Sequence, residues 1–265
     1  MPDSVRCGIP IMRSALMIAA AAAAAAAVQV GDPGAATGSG CRSGSDSALR
    51  CAAPAQNCST VLQSAIDAAV GAGGTGALCI GGTWAVLPIA LRSNLILQLT
   101  ADATVIAQRG AFHGGADHLV DVLGVRNVSI RGAVGGGSRL AMWKSDYTDT
   151  TLYTHSEGRH ALYIMESRHV RVSDLEIIDP GGDSVYLGGS VGGGPATDVE
   201  LLRVVSRNAY RNGLSITGAR DVVVRSCSFL NTSGTPPEAG IVSADDTFLS
   251  FWPLPACDRF FVTRC

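Results

Sequence analysis

The sequence predicts an all-β fold, a right-handed parallel β-helix (β-solenoid) with a short N-terminal capping α-helix. The first observation is that short runs of alternating apolar residues recur along the chain. The runs that begin at Ala161, Ser184, Gly213 and Gly240 start 23, 29 and 27 residues apart. The second observation is that each interval is too short for a strand, a long helix and another strand, whereas it fits one coil of a solenoid.

The N-terminal part of the chain has the pattern of a targeting segment. Arg6 and Arg13 precede an Ala-rich apolar run, which is typical of a secretory signal peptide and predicts one over residues 1–30. Residues 31–55 are mostly Gly, Ala, Ser and Pro and predict a flexible lead-in without a fold of its own. We therefore expect a secreted, extracellular protein.

Composition restricts the partners. The chain has 265 residues with 20 Lys and Arg against 22 Asp and Glu, a formal net charge of −2. This balance excludes the broad basic surface that nucleic-acid-binding proteins use. The N-terminal apolar run is shorter than the roughly 20 residues that a membrane span requires. We therefore expect no nucleic acid or membrane as partner, and a monomer.

Cysteines are consistent with secretion. Cys41, Cys51 and Cys58 lie close together in the sequence, and pairs among them could cross-link the N-terminal region. The sequence does not decide the connectivity. No spacing of Cys and His resembles a zinc site, so no structural metal is expected.

The first element with a clear period is a helix over residues 59–70. Thr60 and Gln63 form a possible capping box, and Gly71 provides a stop. The apolar residues at helical spacing are Val61, Leu62, Ala65, Ile66 and Ala69. Such a helix would cover the open N-terminal end of the solenoid, which otherwise exposes unpaired strand edges.

The solenoid is expected over residues 56–241. If each strand pairs with its equivalent one coil away, alternate side chains form columns on the two faces of the sheet. The first interior column is Leu162, Val185, Leu214 and Ile241, the next is Ile164, Leu187 and Ile216, and Tyr163, Tyr186 and Ser215 point outward. A second strand begins after Asn127, His169, Asp198 and Asp221.

Several segments resemble a known superfamily. Leu62–Ala69, Gly82–Trp84, Leu91–Leu95 and Ala101–Thr104 resemble the capping helix and first coils of pectate-lyase-like proteins. Gly182–Gly188, Tyr210–Ile216 and Asn231–Ile241 are similar to right-handed β-helix proteins related to polygalacturonases. The resemblance spans about 180 residues and is more specific for the fold than for the reaction. It implies a glycoside hydrolase that acts on a polysaccharide.

The predicted site lies beside the outward tyrosines. His160, Asp183 and Asn212 precede their strands in equivalent positions, with Arg159 and Arg211 one residue earlier. We expect Asp183, His160 and Arg211 to be catalytic, and Tyr163, Tyr186, Asn212 and Arg159 to bind substrate, with the tyrosine rings stacking on sugar faces. An Asp after Gly also commonly stabilises a turn, so both roles stay open for Asp183.

The second carboxyl group that glycoside hydrolysis requires is hard to place. In the relatives that the sequence resembles, the Gly-Ile pair is followed by Asp, Glu and Pro, whereas Gly240–Ile241 is followed here by Val242 and Ser243. Residues 242–265 are rich in Phe and predict a non-repeat aromatic tail. One hypothesis is that C-terminal coils are missing through truncation. The alternative is that the tail is a native plug over the open end.

Two other functions remain open. A polyuronide lyase or epimerase would use Arg211, Arg159 and His160, with Ca²⁺ near Asp179 and Asp183, although two Asp supply far fewer oxygen ligands than Ca²⁺ requires. A non-catalytic carbohydrate-binding or surface protein would use Tyr163, Tyr186 and the polar residues for adhesion alone. Outside the lyase hypothesis no cofactor and no metal site are expected.

Overall fold

The computed structural model describes residues 48–51, 57–71, 74–243 and 258–263. Two α-helices, α1 (Ser59–Val70) and α2 (Lys144–Tyr147), accompany two sheets of parallel strands within these ranges. The expected signal peptide and most of the expected lead-in lie outside the described residues. None of the described helices is long and apolar enough to cross a membrane.

Sheet A is the larger sheet. Its main path, in spatial order, consists of β1 (Leu49–Arg50), β2 (Gly76–Gly81), β5 (Leu95–Leu99), β8 (Arg126–Arg131), β11 (Arg168–Ile178), β13 (Ala196–Arg207), β15 (Ala219–Arg225) and β18 (Asp258–Thr263). The other strands are β3 (Thr83–Val86), β6 (Thr104–Ala107), β9 (Arg139–Ala141) and β16 (Ser228–Leu230). The chain passes through this sheet once per coil.

Sheet B holds the site described below. Its strands, in spatial order, are β4 (Ile89–Ala90), β7 (Val120–Leu123), β10 (Leu162–Met165), β12 (Val185–Gly188), β14 (Leu214–Ile216) and β17 (Ile241–Ser243). All are parallel to their neighbours. The chain alternates between the two sheets, and this winding is that of a parallel β-helix.

The predicted interior columns are confirmed. Leu162 is in register with Val185, which is in register with Leu214, and all three are completely buried. Ile241 continues the column and is partly buried. Ile164, Leu187 and Ile216 form the second buried column as expected. Stacking of equivalent residues on successive coils therefore removes apolar side chains from water, and this burial stabilises the fold.

The polar residues that open the sheet A strands occupy corners. Asn127, His169, Asp198 and Asp221 all have φ between 53° and 57°. This left-handed conformation is uncommon outside Gly and is enriched in Asn, Asp and His. The repeat seen in the sequence therefore records a left-handed residue near the start of each of these strands, and further left-handed residues follow in the same coils, such as Asp174 and Arg203.

Helix α1 packs against the first strands. Leu62, Ala65, Ile66 and Ala69 are buried, whereas Val61, assigned to the same face from its spacing, is 53% exposed. The N-cap residue Cys58 makes no side-chain capping hydrogen bond, so the predicted capping box is absent, and Oδ1 of Asn57 accepts the N–H of Ser59 at 2.9 Å. Gln63 instead binds the backbone of Ala90, accepting its N–H at 3.0 Å and donating to its carbonyl oxygen at 2.9 Å. This pair of hydrogen bonds joins the helix to β4.

The C-terminal segment differs from the expected non-repeat tail where it is described. β17 (Ile241–Ser243) pairs with β14, and β18 (Asp258–Thr263) pairs with β15 in parallel register. The segment Arg259–Thr263 is rich in aromatic and β-branched residues, which favour strands. At least part of residues 242–265 therefore extends both sheets.

A disulfide links Cys51 to Cys58, just before α1, and Cys79 is also disulfide-bonded. Disulfides are typical of proteins that fold in an oxidising compartment. The other cysteine of the predicted N-terminal group, Cys41, lies outside the described residues.

Candidate functional site

The fold brings four predicted site residues together. His160, Asp183, Arg211 and Asn212 precede sheet B strands on three consecutive coils, and we call them the buried polar cluster. The Oδ2 atom of Asp183 lies 3.5 Å from Nδ1 of His160 and 3.7 Å from Nη1 of Arg211. Its Oδ1 atom accepts the backbone N–H of Asn212 at 3.0 Å. Asp183 is therefore the centre of the group.

Asp183 is completely buried, and its Oδ2 atom has no hydrogen-bond partner among the described residues. Burial raises the pKa of this carboxyl from 3.8 to about 6, and the hydrogen bond with Ser215 and the charge of Arg211 oppose that rise only in part. A buried carboxyl with a raised pKa is a common feature of functional sites. From the sequence we expected Asp183 to line an open groove. Its burial shows that it does not.

His160 is buried and neutral. Its Nδ1 atom accepts the backbone N–H of Asp183 at 3.0 Å, so the ring proton belongs on Nε2. Burial lowers the pKa of His160 well below 6.5, and the charges of His118 and Arg211 lower it further. The short approach to the Asp183 carboxylate is therefore a contact with a neutral ring, not an ion pair.

Asn212 links three successive coils. Its backbone donates to Asp183, its Nδ2 donates to Ser215 Oγ at 3.1 Å, and its Oδ1 accepts the N–H of Ala239 at 3.0 Å. Asn212 and Ser215 are both buried, although we expected Asn212 to bind substrate; Ser215 is in register with Tyr186 on the outer face, as expected, but is covered there. The amide satisfies backbone and hydroxyl groups inside the protein, so we correct its role to a structural one.

Arg159 also departs from its expected role. Its side chain is completely buried, and it donates to the carbonyl oxygens of Phe112, His113 and Thr154 at 2.7, 3.1 and 2.5 Å. The guanidinium group lies 5.3 Å from the ring centre of Tyr147. Arg159 therefore holds two loops together, and it is not on a surface where it could bind a polysaccharide.

Glu157 and Thr235 lie over the buried polar cluster. Thr235 Oγ1 donates to Glu157 Oε1 at 2.8 Å, and Arg211 Nε lies 3.2 Å from Glu157 Oε2. A Cβ atom at Gly182 would lie 2.3 Å from the carbonyl oxygen of Glu157, so glycine permits this close packing. The contact joins two loops that are far apart in the sequence, and neither Glu157 nor Thr235 was identified from the sequence.

The two predicted tyrosines are in register on the outer face of sheet B, but their rings stack on protein. Tyr163 lies between His118 and Tyr186, with ring centroids 3.9 and 5.4 Å away. His160 completes the stack at 4.7 Å from Tyr186. Both faces of Tyr163 are covered, so sugar stacking on this ring, as predicted from the sequence, is not possible. Ring edges and hydroxyl groups remain for contact with a ligand.

His118 and Asp121 belong to the same site and were missed from the sequence. Asp121 is in register with Tyr163, and Val120 with Leu162, so His118 is equivalent to His160. Burial raises the pKa of Asp121 to about 6 and lowers that of His118 to about 4. Alignment of His118–Val122 with His160–Ile164 would have revealed both, because each segment has His, two apolar residues, a polar residue and an apolar one.

The residues of the calcium hypothesis do not fit a cation. Oδ1 of Asp179 accepts a hydrogen bond from Asn208 at 2.7 Å, and Asp183 is surrounded by His160, Arg211 and Asn212. Among the described residues no three His, Cys, Asp or Glu side chains come together to hold a metal ion. Ca²⁺ requires six to eight oxygen ligands. We therefore derive no step through calcium.

Comparison with known proteins gives matches to solved structures alone. No protein-family model matches the chain, and no curated protein matches it. A proposed glycosyl hydrolase from Parabacteroides merdae is 15% identical, with a TM-score of 0.55 over 78% of this chain and 91% of that one. This likeness shows the fold, a parallel β-helix.

Two further solved structures are similar over much of this chain. A polygalacturonase from Erwinia carotovora subsp. carotovora is 12% identical, with a TM-score of 0.43 over 84% of this chain and 75% of that one. PfbA, a surface adhesin of Streptococcus pneumoniae, is 14% identical, with a TM-score of 0.32 over 71% and 63%.

Polar atoms without partners concentrate at this part of the β-helix. Among the described residues, buried atoms without a hydrogen bond include Nδ1 of His118, Oδ1 of Asp121 and Oδ2 of Asp183, while Nε of Arg211 has only its ion pair with Glu157. Most buried polar atoms in proteins are satisfied, so each exception calls for an explanation. Three exceptions around one aromatic stack make this the candidate site for a polar ligand.

Proposed function

We propose that this protein is a carbohydrate-active β-helix enzyme that binds a polysaccharide on the outer face of sheet B and hydrolyses it. The observation that carries the proposal is the group of unpartnered polar atoms around the stacked rings of His118, His160, Tyr163 and Tyr186. Sugar hydroxyl groups both donate and accept hydrogen bonds, so they can satisfy such atoms. The parallel strands extend the face across several coils, which suits a linear polymer.

Asp121 is the proposed proton donor. It is partly buried beside Tyr163, and burial alone raises its pKa to about 6. A general acid for glycoside hydrolysis must hold a proton near the working pH and release it to the leaving oxygen. Asp121 meets this requirement in mildly acidic solution, and it needs no metal or organic cofactor.

Asp183 is the proposed second carboxyl group. It lies on the second coil after that of Asp121, and contact with a substrate requires the bond between Glu157 and Thr235 to open. The cation of Arg211 would then face the Asp183 carboxylate, while Nδ1 of His160 accepts the backbone N–H of Asp183 and fixes the position of that residue. In this scheme His160 and Arg211 are positioning residues for Asp183.

An Asp121→Asn variant tests the proposal. We expect it to lower the release of reducing ends from polysaccharides roughly 100-fold or more, because an amide cannot supply the proton. The wild-type rate should be highest near pH 6, because Asp121 loses its proton above that pH and Asp183 keeps its own below it. Asp67→Asn is the matched control, since Asp67 is an exposed carboxyl on α1. Equal rates in Asp121→Asn and wild type would remove Asp121 from the mechanism.

The second candidate function is polysaccharide binding without cleavage. The complete burial of Asp183 favours it, because the second carboxyl is enclosed in this arrangement. The two candidates differ in one measurement. A binder retains glycans on an affinity gel and releases no reducing ends, and Asp121→Asn would then change the retention without any change in products.

We also propose that the protein is secreted, that its coil is right-handed and that α1 closes the N-terminal end of the β-helix, as the sequence predicts. The disulfide Cys51–Cys58 supports secretion to an oxidising compartment. A right-handed coil follows from the strong handedness of parallel strand crossovers. The buried face of α1 and its bonds to β4 support a role in closing the N-terminal end. Polygalacturonase-like substrate choice and a monomeric state belong to the same proposal.

A further inference from the structure

A row of arginines crosses the start of sheet A, on a different surface from the proposed hydrolase site. Arg126 is in register with Arg168, Arg168 with Thr197, and Thr197 with Arg220. We call Arg126, Arg168 and Arg220 the arginine row. All three are exposed, and neighbouring strands are about 4.8 Å apart, so the first two cations are adjacent and the third lies two strands farther on.

The arginine row has no counter-ions among the described residues, whereas other arginines of the same sheet do. Arg171 pairs with Asp198 at 2.7 Å, Arg203 with Asp174 at 2.6 Å, and Arg225 with Glu200 at 3.8 Å. Like charges directly opposite each other on neighbouring strands are destabilising. Arg126 and Arg168 form such a pair without a compensating ion pair among the described residues, which favours a role in binding. Arg220 is in register with Thr197 on one neighbouring strand and with Asp258 on the other.

A surface cavity of about 410 Å³ lies along the row. Its lining residues are Glu166, Arg168, His169, Gly193, Pro195, Thr197 and Arg220. The Glu166 carboxylate accepts a hydrogen bond from Ser190, and His169 pairs with Asp198 at 2.7 Å. His169 is thus engaged within the protein, and the two cations of Arg168 and Arg220 outnumber the one carboxylate, Glu166, that lines the cavity.

We infer that the arginine row binds the anionic groups of a linear acidic polysaccharide. Guanidinium groups form paired hydrogen bonds with carboxylates and with other oxyanions. A row that repeats with the coils fits a chain with repeated charges better than a single small anion. The glycan class rests on the proposed function, but the surface and the residues are separate from it. This site would select charged polymers and hold them against the β-helix.

The test compares dextran sulfate with dextran, two polymers with the same sugar backbone and different charge. We expect affinity electrophoresis to show retention of the wild type by dextran sulfate and not by dextran. The double variant Arg168→Gln/Arg220→Gln should bind about tenfold more weakly or worse, since it loses charge-assisted hydrogen bonds. Arg225→Gln is the control, because it removes the same charge from the same strand as Arg220 and should change the affinity less than about twofold.

Binding measurements with other polymers and at higher salt identify the class of anion that the arginine row binds. Retention by polygalacturonate as well as by dextran sulfate supports the inference for carboxylates and sulfates, and retention by one of the two supports it for that anion. Binding should weaken in about 0.5 M salt, where exposed charges are screened. Equal affinity of the double variant and wild type would overturn the inference, as would equal affinity for dextran or for single-stranded DNA. Thermal unfolding of each variant identifies any loss that comes from misfolding.

The experiment separates this inference from the proposed function. The exposed Asp67 on α1 provides the control, and Asp67→Asn should leave dextran sulfate binding unchanged. If the arginine variants lose binding while Asp121→Asn cleaves glycans like wild type, the arginine row stands and the hydrolase proposal fails. If Asp121→Asn is inactive while the arginine variants bind like wild type, the reverse holds.

Discussion

The buried polar cluster of sheet B and the outer face of sheet A place similar residues in opposite surroundings. In the cluster, Asp183 is completely buried and burial raises its pKa to about 6. On sheet A, Asp198 is partly exposed; its partial burial also acts to raise the pKa, but hydrogen bonds from His169 and Arg171 bring the pKa below its ordinary value. One fold therefore contains a carboxyl group whose pKa is raised by burial and another whose pKa is lowered by its hydrogen bonds.

The difference shows that solvent access, and not the repeat itself, sets the role of a charged residue. Both regions repeat coil by coil, and strand register brings polar residues together in each. Exposed ion pairs contribute little to stability because water and salt screen them. Enclosed polar groups carry a large desolvation cost, so their partners matter much more. Substitutions in the two regions should differ accordingly.

The largest effect is expected for Arg159→Met. The substitution keeps much of the side-chain volume but leaves the carbonyl oxygens of Phe112, His113 and Thr154 without their donor. Each buried group left unsatisfied costs roughly 1–3 kcal/mol, so the free energy of unfolding should fall by about 3–5 kcal/mol. Urea unfolding followed by circular dichroism measures the change.

Arg168→Met is the matched control for that measurement. Arg168 is exposed and belongs to no ion pair among the described residues, so its loss should change the free energy of unfolding by less than about 0.5 kcal/mol. Equal losses in the two variants would show that enclosure does not decide the cost, and the comparison between the regions would fail.

The fold could be predicted because its core repeats in the sequence. Leu162, Val185 and Leu214 occupy equivalent positions in runs of alternating apolar residues, and they form one buried column. Asn127 and Asp198 revealed the corners, since left-handed backbone favours these residue types. Local pattern and strand register agree at these positions, so the prediction needed no knowledge of the loops.

The site could be predicted only in part, because loops decide which polar residues are exposed. Register placed Tyr163 beside Tyr186, but it did not show that His118 covers the other face of Tyr163. Burial of Arg159 depends on carbonyl groups from segments about 5 and 47 residues away in sequence. Such contacts do not recur at a regular interval in the sequence, so a prediction based on repeats does not find them.

An intermediate effect is expected from the pH dependence of stability at Asp183. The folded protein holds this proton up to about pH 6, whereas the unfolded chain releases it near pH 3.8. The folded state therefore binds more protons between these values, and the free energy of unfolding falls as the pH rises through them. The loss amounts to on the order of 3 kcal/mol at neutral pH.

Asp183→Asn should remove that pH dependence, since the amide oxygen can still accept the Asn212 N–H and carries no charge. Urea unfolding of both proteins at pH 4, 5, 6 and 7 measures the difference. We expect the variant to gain stability relative to wild type as the pH rises. A constant difference across the series would mean that Asp183 does not titrate in this range, and that the cluster stabilises the charged carboxylate as the exposed pairs of sheet A do.

The smallest effect is expected for Arg139→Gln on sheet A. Arg139 Nε lies 2.9 Å from Glu176 Oε2, but the other carboxylate oxygen keeps Arg207 Nε at 2.9 Å. Both arginines are about half exposed, so the free energy of unfolding should fall by about 0.5 kcal/mol or less, and by still less in about 0.5 M salt. A loss as large as that of Arg159→Met, unaffected by salt, would mean that Glu176 is held as tightly as the enclosed groups. In that case register, and not solvent access, would set the strength of polar contacts in this β-helix.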